Sequence, residues 1–179
     1  MYLSLPTDVA YERISAARLT TPLNREPPKN DPEVEASAVE YIYKLVKEAD
    51  GDVAVLIDAC AIRHRVKKEL RDFLDKTQFP AYAAPMGKTA IDEDYPRYGG
   101  VCCLGCEVTT PGGSFYFQVY IGSISHPEIL EKVEGAKLII SIGSMLSDFN
   151  TGNFTYHIPR SKAVEVRDSL QVWSRVVNR

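Results

Sequence analysis

Residues 137–152 read KLIISIGSMLSDFNTG. Leu138 to Ser141 are apolar or small, and Ile142-Gly143 follows, so the run is a short strand stopped by a glycine. A polar turn, Ser147-Asp148-Phe149-Asn150-Thr151-Gly152, comes directly after it. A continuous apolar run bounded by turn residues is the mark of a strand buried on both faces, which predicts a parallel sheet covered by helices. The loop at the carboxyl end of such a strand is where open α/β sheets place ligands or neighbouring structure.

The rest of the chain supports that reading. Asp31-Pro32-Glu33 has the form of a helix start, with an aspartate cap, proline in the first turn and an acid beside it. Val34, Ala38, Ile42, Leu45 and Val46 then keep helical spacing until Asp50-Gly51. Strands are predicted at Val53–Ile57, Phe79–Ala84, Val119–Ile121, Lys137–Ile142 and Ala163–Val166, with helices at Val66–Leu74 and Pro127–Ala136. Strands alternating with helices predict an α/β fold, a Rossmann-like parallel sheet with helices on both faces.

Ahead of this pattern, Tyr2 to Leu5 reads as a strand, and Thr20 to Pro32 carries four prolines and no glycine. Residues 1–30 are therefore expected to be the end of a preceding domain and a Pro-rich linker, and residues 31–179 a central domain.

Composition narrows the function. The chain has 179 residues, 45% hydrophobic and 25% charged, with a net charge of −3. These values suit one globular domain and argue against a nucleic-acid partner. No stretch has the apolar length of a membrane span, and the amino-terminal residues lack the basic region of a signal peptide. The default expectation is a cytoplasmic protein with reduced thiols.

Candidate chemistry is sparse. Cys103 and Cys106 form a C-x-x-C pair beside Cys102. The other candidates for a zinc site, Cys60, His64, His126 and His157, form no second pair at finger spacing. Phosphate-binding glycine motifs and a nucleophile elbow are absent from the sequence. Cys60 lies at the end of a predicted strand with Arg63 and His64 close behind. It reads either as a small buried hydrophobe or as a thiol activated by Arg63, His64 and a helix amino terminus for reversible addition to a carbonyl.

Several stretches taken together resemble the middle domain of thiamine-diphosphate-dependent 2-oxo-acid decarboxylases, and most closely the fungal pyruvate decarboxylases. They are Leu5-Pro6-Thr7-Asp8, Ile57-Asp58-Ala59-Cys60 with Arg63-His64, Thr77-Gln78-Phe79-Pro80 and Pro85-Met86-Gly87-Lys88 in the first half. Pro96 to Val101, Tyr120-Ile121-Gly122-Ser123 and Leu146 to Gly152 follow in the second. The resemblance implies a homo-oligomeric enzyme that uses thiamine diphosphate and Mg²⁺ to convert pyruvate, or another 2-oxo acid such as indolepyruvate or phenylpyruvate, to an aldehyde and CO₂. The Gly-Asp-Gly and Asn-Asn motifs that hold the cofactor in that family do not occur here. No catalytic, cofactor or metal residue is therefore assigned, and the expected role is structural and regulatory. By the same resemblance Cys60, Arg63 and His64 match residues implicated in substrate activation, with Ala61 where the family often has a second cysteine. A nucleotide-binding module is the alternative, because relatives of this fold bind FAD or ADP.

Two departures from the family wording stand out. Residues 101–118 form an atypical insert rich in cysteine and glycine, and the expectation is a retained intron read in frame from Val101 to Gln118. Val-Cys is encodable by GTATGT, and Phe115 to Gln118 by a pyrimidine tract ending in CAG. Beyond Asp168 the resemblance fades, which suggests a truncated or misread gene.

Overall fold

A computed structural model describes residues 4, 6–13, 15–22, 29–99, 107–110, 113–116 and 120–167. The predicted strand at Tyr2 to Leu5, much of the 101–118 insert and the residues beyond 167 lie outside the described residues. The chain forms two compact units, Met1–Asp31 and Pro32–Arg179. The first carries two 3-10 turns, Val9–Tyr11 and Ala16–Thr20.

In the second unit, α1 spans Pro32–Glu48. Proline in its first turn, Glu33 and Glu35 beside it and Lys47 in its last turn all complement the helix dipole. Asp50 and Gly51 then turn through positive φ and end the helix. Strand β1 is Val53–Ile57, α2 is Ala59–Arg63, α3 is Lys67–Thr77 and β2 is Ala81–Ala83. A small hairpin, β3 (Glu107–Thr110) with β4 (Gly113–Tyr116), precedes α4 (Pro127–Gly135), β5 (Leu138–Ile142) and β6 (Ala163–Val166).

The four long-range strands form one parallel sheet in the order β2-β1-β5-β6. Val53 pairs with Leu138 and Ile57 with Ile142, so β1 and β5 run side by side over their whole length. Strand alternation sends Val53, Val55, Ile57, Leu138, Ile140 and Val164 to one face, against Ile42, Leu45 and Val46 of α1 and Leu70, Phe73 and Leu74 of α3. Ala54 and Ile139 point to the other face and meet Ile129 and Val133 of α4. The Rossmann-like parallel sheet with helices on both faces is thus observed.

Several details differ from the sequence reading. Of the strand predicted at Val119–Ile121, Val119 lies outside the described residues, and Tyr120 and Ile121 belong to no strand. Gly122 turns at positive φ, and the Ser125 hydroxyl takes the Ile121 N–H, which closes the chain on itself. Phe79–Ala84 shortens to Ala81–Ala83, and Lys137 stays outside β5. Cys60 follows the strand as expected, and it lies inside a short helix, α2, that the sequence reading did not delimit. The Asp58 carboxylate caps that helix through the Ala59 N–H.

The connection after β2 is pinned to the core. Tyr95 donates its hydroxyl to the carbonyls of Leu74 and Phe79, and Arg71 holds Asp75 and Asp94 at 3.0 and 2.6 Å. Tyr98, packed beside Ala83 and Ile121, has a buried hydroxyl with no hydrogen-bond partner among the described residues. Loss of water and the negative charge of Glu93 push its ionisation up to about 12. A raised tyrosine value leaves stability intact below the unfolded value of about 10 and removes it as pH climbs toward 12. Tyr98→Phe should therefore leave stability at pH 7 unchanged or higher, and flatten its fall between pH 10 and 12. Tyr82, Tyr95 and Tyr120 are shifted upward too, so part of the fall persists. Urea unfolding at pH 7 and across the alkaline range measures both effects, and identical alkaline slopes in the two proteins would refute the assignment.

Candidate functional site

Strand order reverses between β1 and β5. From β1 the chain steps outward to β2, then returns to the opposite side of β1. In an open parallel sheet the crevice outside the carboxyl ends of such a strand pair is the expected ligand position. Here a cluster of the protein's own polar groups forms one wall of that crevice.

Asp58, directly after β1, is 3% exposed. Its Oδ1 accepts from Ala59 N–H at 2.6 Å. Its Oδ2 accepts from Met145 N–H and from the Asn150 amide, both at 2.6 Å. Asn150 is equally buried and fully used. Its Nδ2 also donates to the Met145 carbonyl at 2.9 Å, and its Oδ1 accepts the Met86 N–H at 3.0 Å. Three loops that follow β1, β2 and β5 are thereby tied at one point. Backbones close in around it: a Cβ on Gly87 would lie 2.3 Å from the Ile57 carbonyl oxygen, and one on Gly143 2.4 Å from Ala61 N. Gly143 also sits at positive φ.

Cys60, Arg63 and His64 are brought together on the single turn of α2. Cys60 is half-buried, while Arg63 and His64 are exposed. The Cys60 N–H donates to the Gly143 carbonyl at 3.0 Å, and the His64 N–H to the Cys60 carbonyl at 2.9 Å. Arg63 reaches across to the Met145 sulfur at 3.1 Å. The thiol thus lies two residues from Asp58, on a turn bonded to the β5 loop. The three residues expected from the sequence follow one another along α2 and its C-cap.

Beside the knot a cavity of about 280 Å³ opens over the carboxyl ends of β1, β5 and β6. Leu56, Ile139 and Tyr120 form an apolar floor, and Ser141, Glu165 and Arg167 supply polar groups. Glu165 and Arg167 pair at 2.7 Å, and Arg167 also donates to the Ser144 hydroxyl at 3.3 Å. Burial and a hydrogen bond to Glu134 push the Tyr120 hydroxyl well above the usual tyrosine range, so it stays protonated and serves as a donor. This volume lies at the lower end of ordinary ligand pockets. Sequence reasoning singled out none of the cavity's polar residues. It quoted Asp58 and Asn150 without a role, although an aspartate after a strand and before a helical turn is a recognisable cap. Among the described residues no cluster of His, Cys, Asp or Glu has the form of a metal site.

The fold is a parallel α/β domain with a hydrogen-bonded junction at its switch point. Comparison with known proteins finds that over nearly its whole length this chain is similar to fungal pyruvate decarboxylases. It is 44% identical over 165 residues to pyruvate decarboxylase isozyme 2 of Saccharomyces cerevisiae. Pyruvate decarboxylases of Candida glabrata and Kluyveromyces marxianus are 42% and 41% identical over the same length. In each case 92% of this chain and 26% of the relative are covered, so the chain spans about a quarter of the length of these curated relatives. No protein-family model matches the chain.

Replacing Asn150 tests the knot. Asn150→Leu strands the Met86 N–H and leaves one Asp58 oxygen short of a donor, with a cost of about 3 kcal/mol. Asn150→Asp should cost at least as much, since it sets carboxylate against carboxylate at Asp58. Denaturant unfolding of both variants gives the values, and a loss under about 0.5 kcal/mol for both, which is the surface-site range, would show that the knot does not hold the loops.

Proposed function

We propose that this chain supplies the central domain of a thiamine-diphosphate- and Mg²⁺-dependent 2-oxo-acid decarboxylase acting on pyruvate, with a bridging and regulatory part in it. The observation that carries this reading is the 44% identity across 92% of the chain to a pyruvate decarboxylase. The hydrogen-bonded junction at the switch point is compatible with it. Asn150 ties the loops that follow β1, β2 and β5 to one another there. The cofactor and the metal would be held by parts of the enzyme that this chain does not match, and residues 1–30 would be the approach from a preceding domain.

The regulatory part falls to Cys60, Arg63 and His64. Addition of the Cys60 S–H across the carbonyl of a 2-oxo acid forms a C–S bond and turns the carbonyl oxygen into a hydroxyl, with nothing else consumed. Arg63 offers a cation for the acid's carboxylate, and His64 stands one turn from the sulfur to exchange its proton.

With thiamine diphosphate, Mg²⁺ and pyruvate, the purified chain is expected to release no acetaldehyde, and measurable release would overturn the central-domain assignment. In the enzyme that contains this domain, Cys60→Ser should flatten a sigmoidal dependence of rate on pyruvate while leaving kcat within about twofold. Unchanged cooperativity would remove the regulatory role.

The cavity beside β6 favours a second reading, a nucleotide-binding module, because Arg160 and Arg167 line it. Titration with ADP and FAD decides between the two. Micromolar affinity for either supports the module, and none is expected.

A further inference from the structure

Helix α1 covers the sheet without burying a residue. None of its 17 residues is buried, whereas α4, with nine, buries Ile129 and Val133. Ile42, Leu45 and Val46 meet the core only half-buried. A second apolar stripe runs along one flank of the helix. Pro32, Ala36, Val39 and Tyr43, spaced four, three and four apart, lie one above another there. All four are exposed, Val39 by 61% and Tyr43 by 58%. The shallow groove along them is lined by residues of α1 alone, Glu35 and Glu40 among them. Lys47 Nζ stands 4.6 Å over the Tyr43 ring, which caps that end of the stripe with a cation. Charge is divided along the helix: Glu33 and Glu35 lie in its first turn, and Lys44 and Lys47 toward its end.

We propose that this flank of α1 is an interface between two copies of the chain, with the two α1 helices side by side and antiparallel. Two features select a second copy as the occupant. The stripe is complementary to itself: a two-fold axis midway between Ala36 and Val39 sets Ala36 against Val39 of the second copy, and Pro32 against its Tyr43. Each contact then occurs twice, and a small or compact residue meets a larger one both times. The charges agree with the same arrangement. Antiparallel helices bring Glu33 and Glu35 alongside Lys44 and Lys47 of the second copy and oppose the two helix dipoles, whereas a parallel pair sets acid beside acid. The helix is only about 25 Å long. One flank of it falls short of the roughly 800 Å² per partner of a stable complex, so the dimer is weak and reversible. This inference goes beyond the decarboxylase reading and does not depend on it.

Sedimentation equilibrium of the chain in reducing buffer tests the pairing. A reversible monomer–dimer equilibrium with a Kd of about 100 μM is expected. A chain that stays monomeric at about 1 mM overturns the proposal, and so covers the case in which another part of a longer protein occupies the stripe. Val39→Asp places a charge on both sides of the contact and should weaken the dimer about tenfold or more, and Tyr43→Ser should weaken it in the same direction. Both positions are exposed, so the variants should keep the parent's Tm, and either one that folds decides the matter. Undiminished dimerisation of a folded variant overturns the interface. Orientation is read from charge: Glu33→Lys and Lys44→Glu should each weaken the dimer about threefold, and the double variant should recover to within about twofold of the parent. A Glu33→Lys dimer as tight as the parent, or tighter, overturns the antiparallel pairing, because that change relieves a parallel pair. Decarboxylase activity enters no readout, so the outcome is separable from the functional assignment.

Discussion

Asp58 carries more of this structure than its single carboxylate suggests. It stands where the apolar strand β1 gives way to a helical turn, and each of its acceptor positions is matched. One oxygen caps α2, and the other takes the Met145 N–H and the Asn150 amide. A carboxylate 3% exposed is tolerable only when hydrogen bonds replace its lost water. Three short bonds provide that replacement, one from the start of α2 and two from the loop after β5. The loop after β2 joins through Asn150 Oδ1 and the Met86 N–H. The close backbone approaches at Gly87 and Gly143 are consequences, because loops drawn this tightly together leave no room for a Cβ.

That knot explains what kind of domain this is. A doubly covered parallel sheet leaves its functional position at the carboxyl ends of the central strands, where the crossover direction changes. Asn150 ties the loops around that position to one another. What remains open is the smaller cavity toward β6, with a protonated Tyr120 at its floor and an internal ion pair at its rim. Beyond it the 144–155 loop is stitched by Ser147, Thr151 and Thr155 hydroxyls, yet Phe149 and Phe154 project 72% and 61% exposed. A stiff loop that displays large apolar side chains suits the bridging part proposed for the domain.

The parts of the fold that were legible in sequence are those whose signal is local. β1 and β5 are continuous apolar runs, and α1 and α4 keep helical spacing between proline starts and their stops. The Asp58–Asn150 bond joins positions 92 residues apart, and periodicity carries no trace of such a pair. Both residues also sit in stretches rich in turn formers, where a buried polar role looks the same as a solvated one. Tyr120 misled in the opposite sense. Its apolar neighbours read as a strand, and it does touch a sheet edge, but Gly122 and the Ser125 hydroxyl fold the backbone away before a ladder forms. Cys60, Arg63 and His64 stand near one another in sequence, so their placement along one short helix and its cap needs no long-range signal. Their attachment to the β5 loop was not legible, since Gly143 accepts through its backbone.

That attachment matters for any signal leaving the thiol. Cys60 belongs to a turn whose start is fixed by Asp58 and whose first amides are bound by Asp58 and Gly143. Atoms added at the sulfur cannot be absorbed by sliding the turn along its axis, because Gly143 has no slack against Ala61 N and Cys60. Strain would pass instead into the hydrogen bonds that α2 shares with the β5 loop, which reach Met145 through both the Asp58 carboxylate and the Arg63 guanidinium. Met145 N–H and its carbonyl both belong to the knot, so a displacement there is felt by Asn150 and then by Met86. A tightly bonded junction of this kind has few intermediate arrangements, and discrete alternatives are what regulation between domains requires.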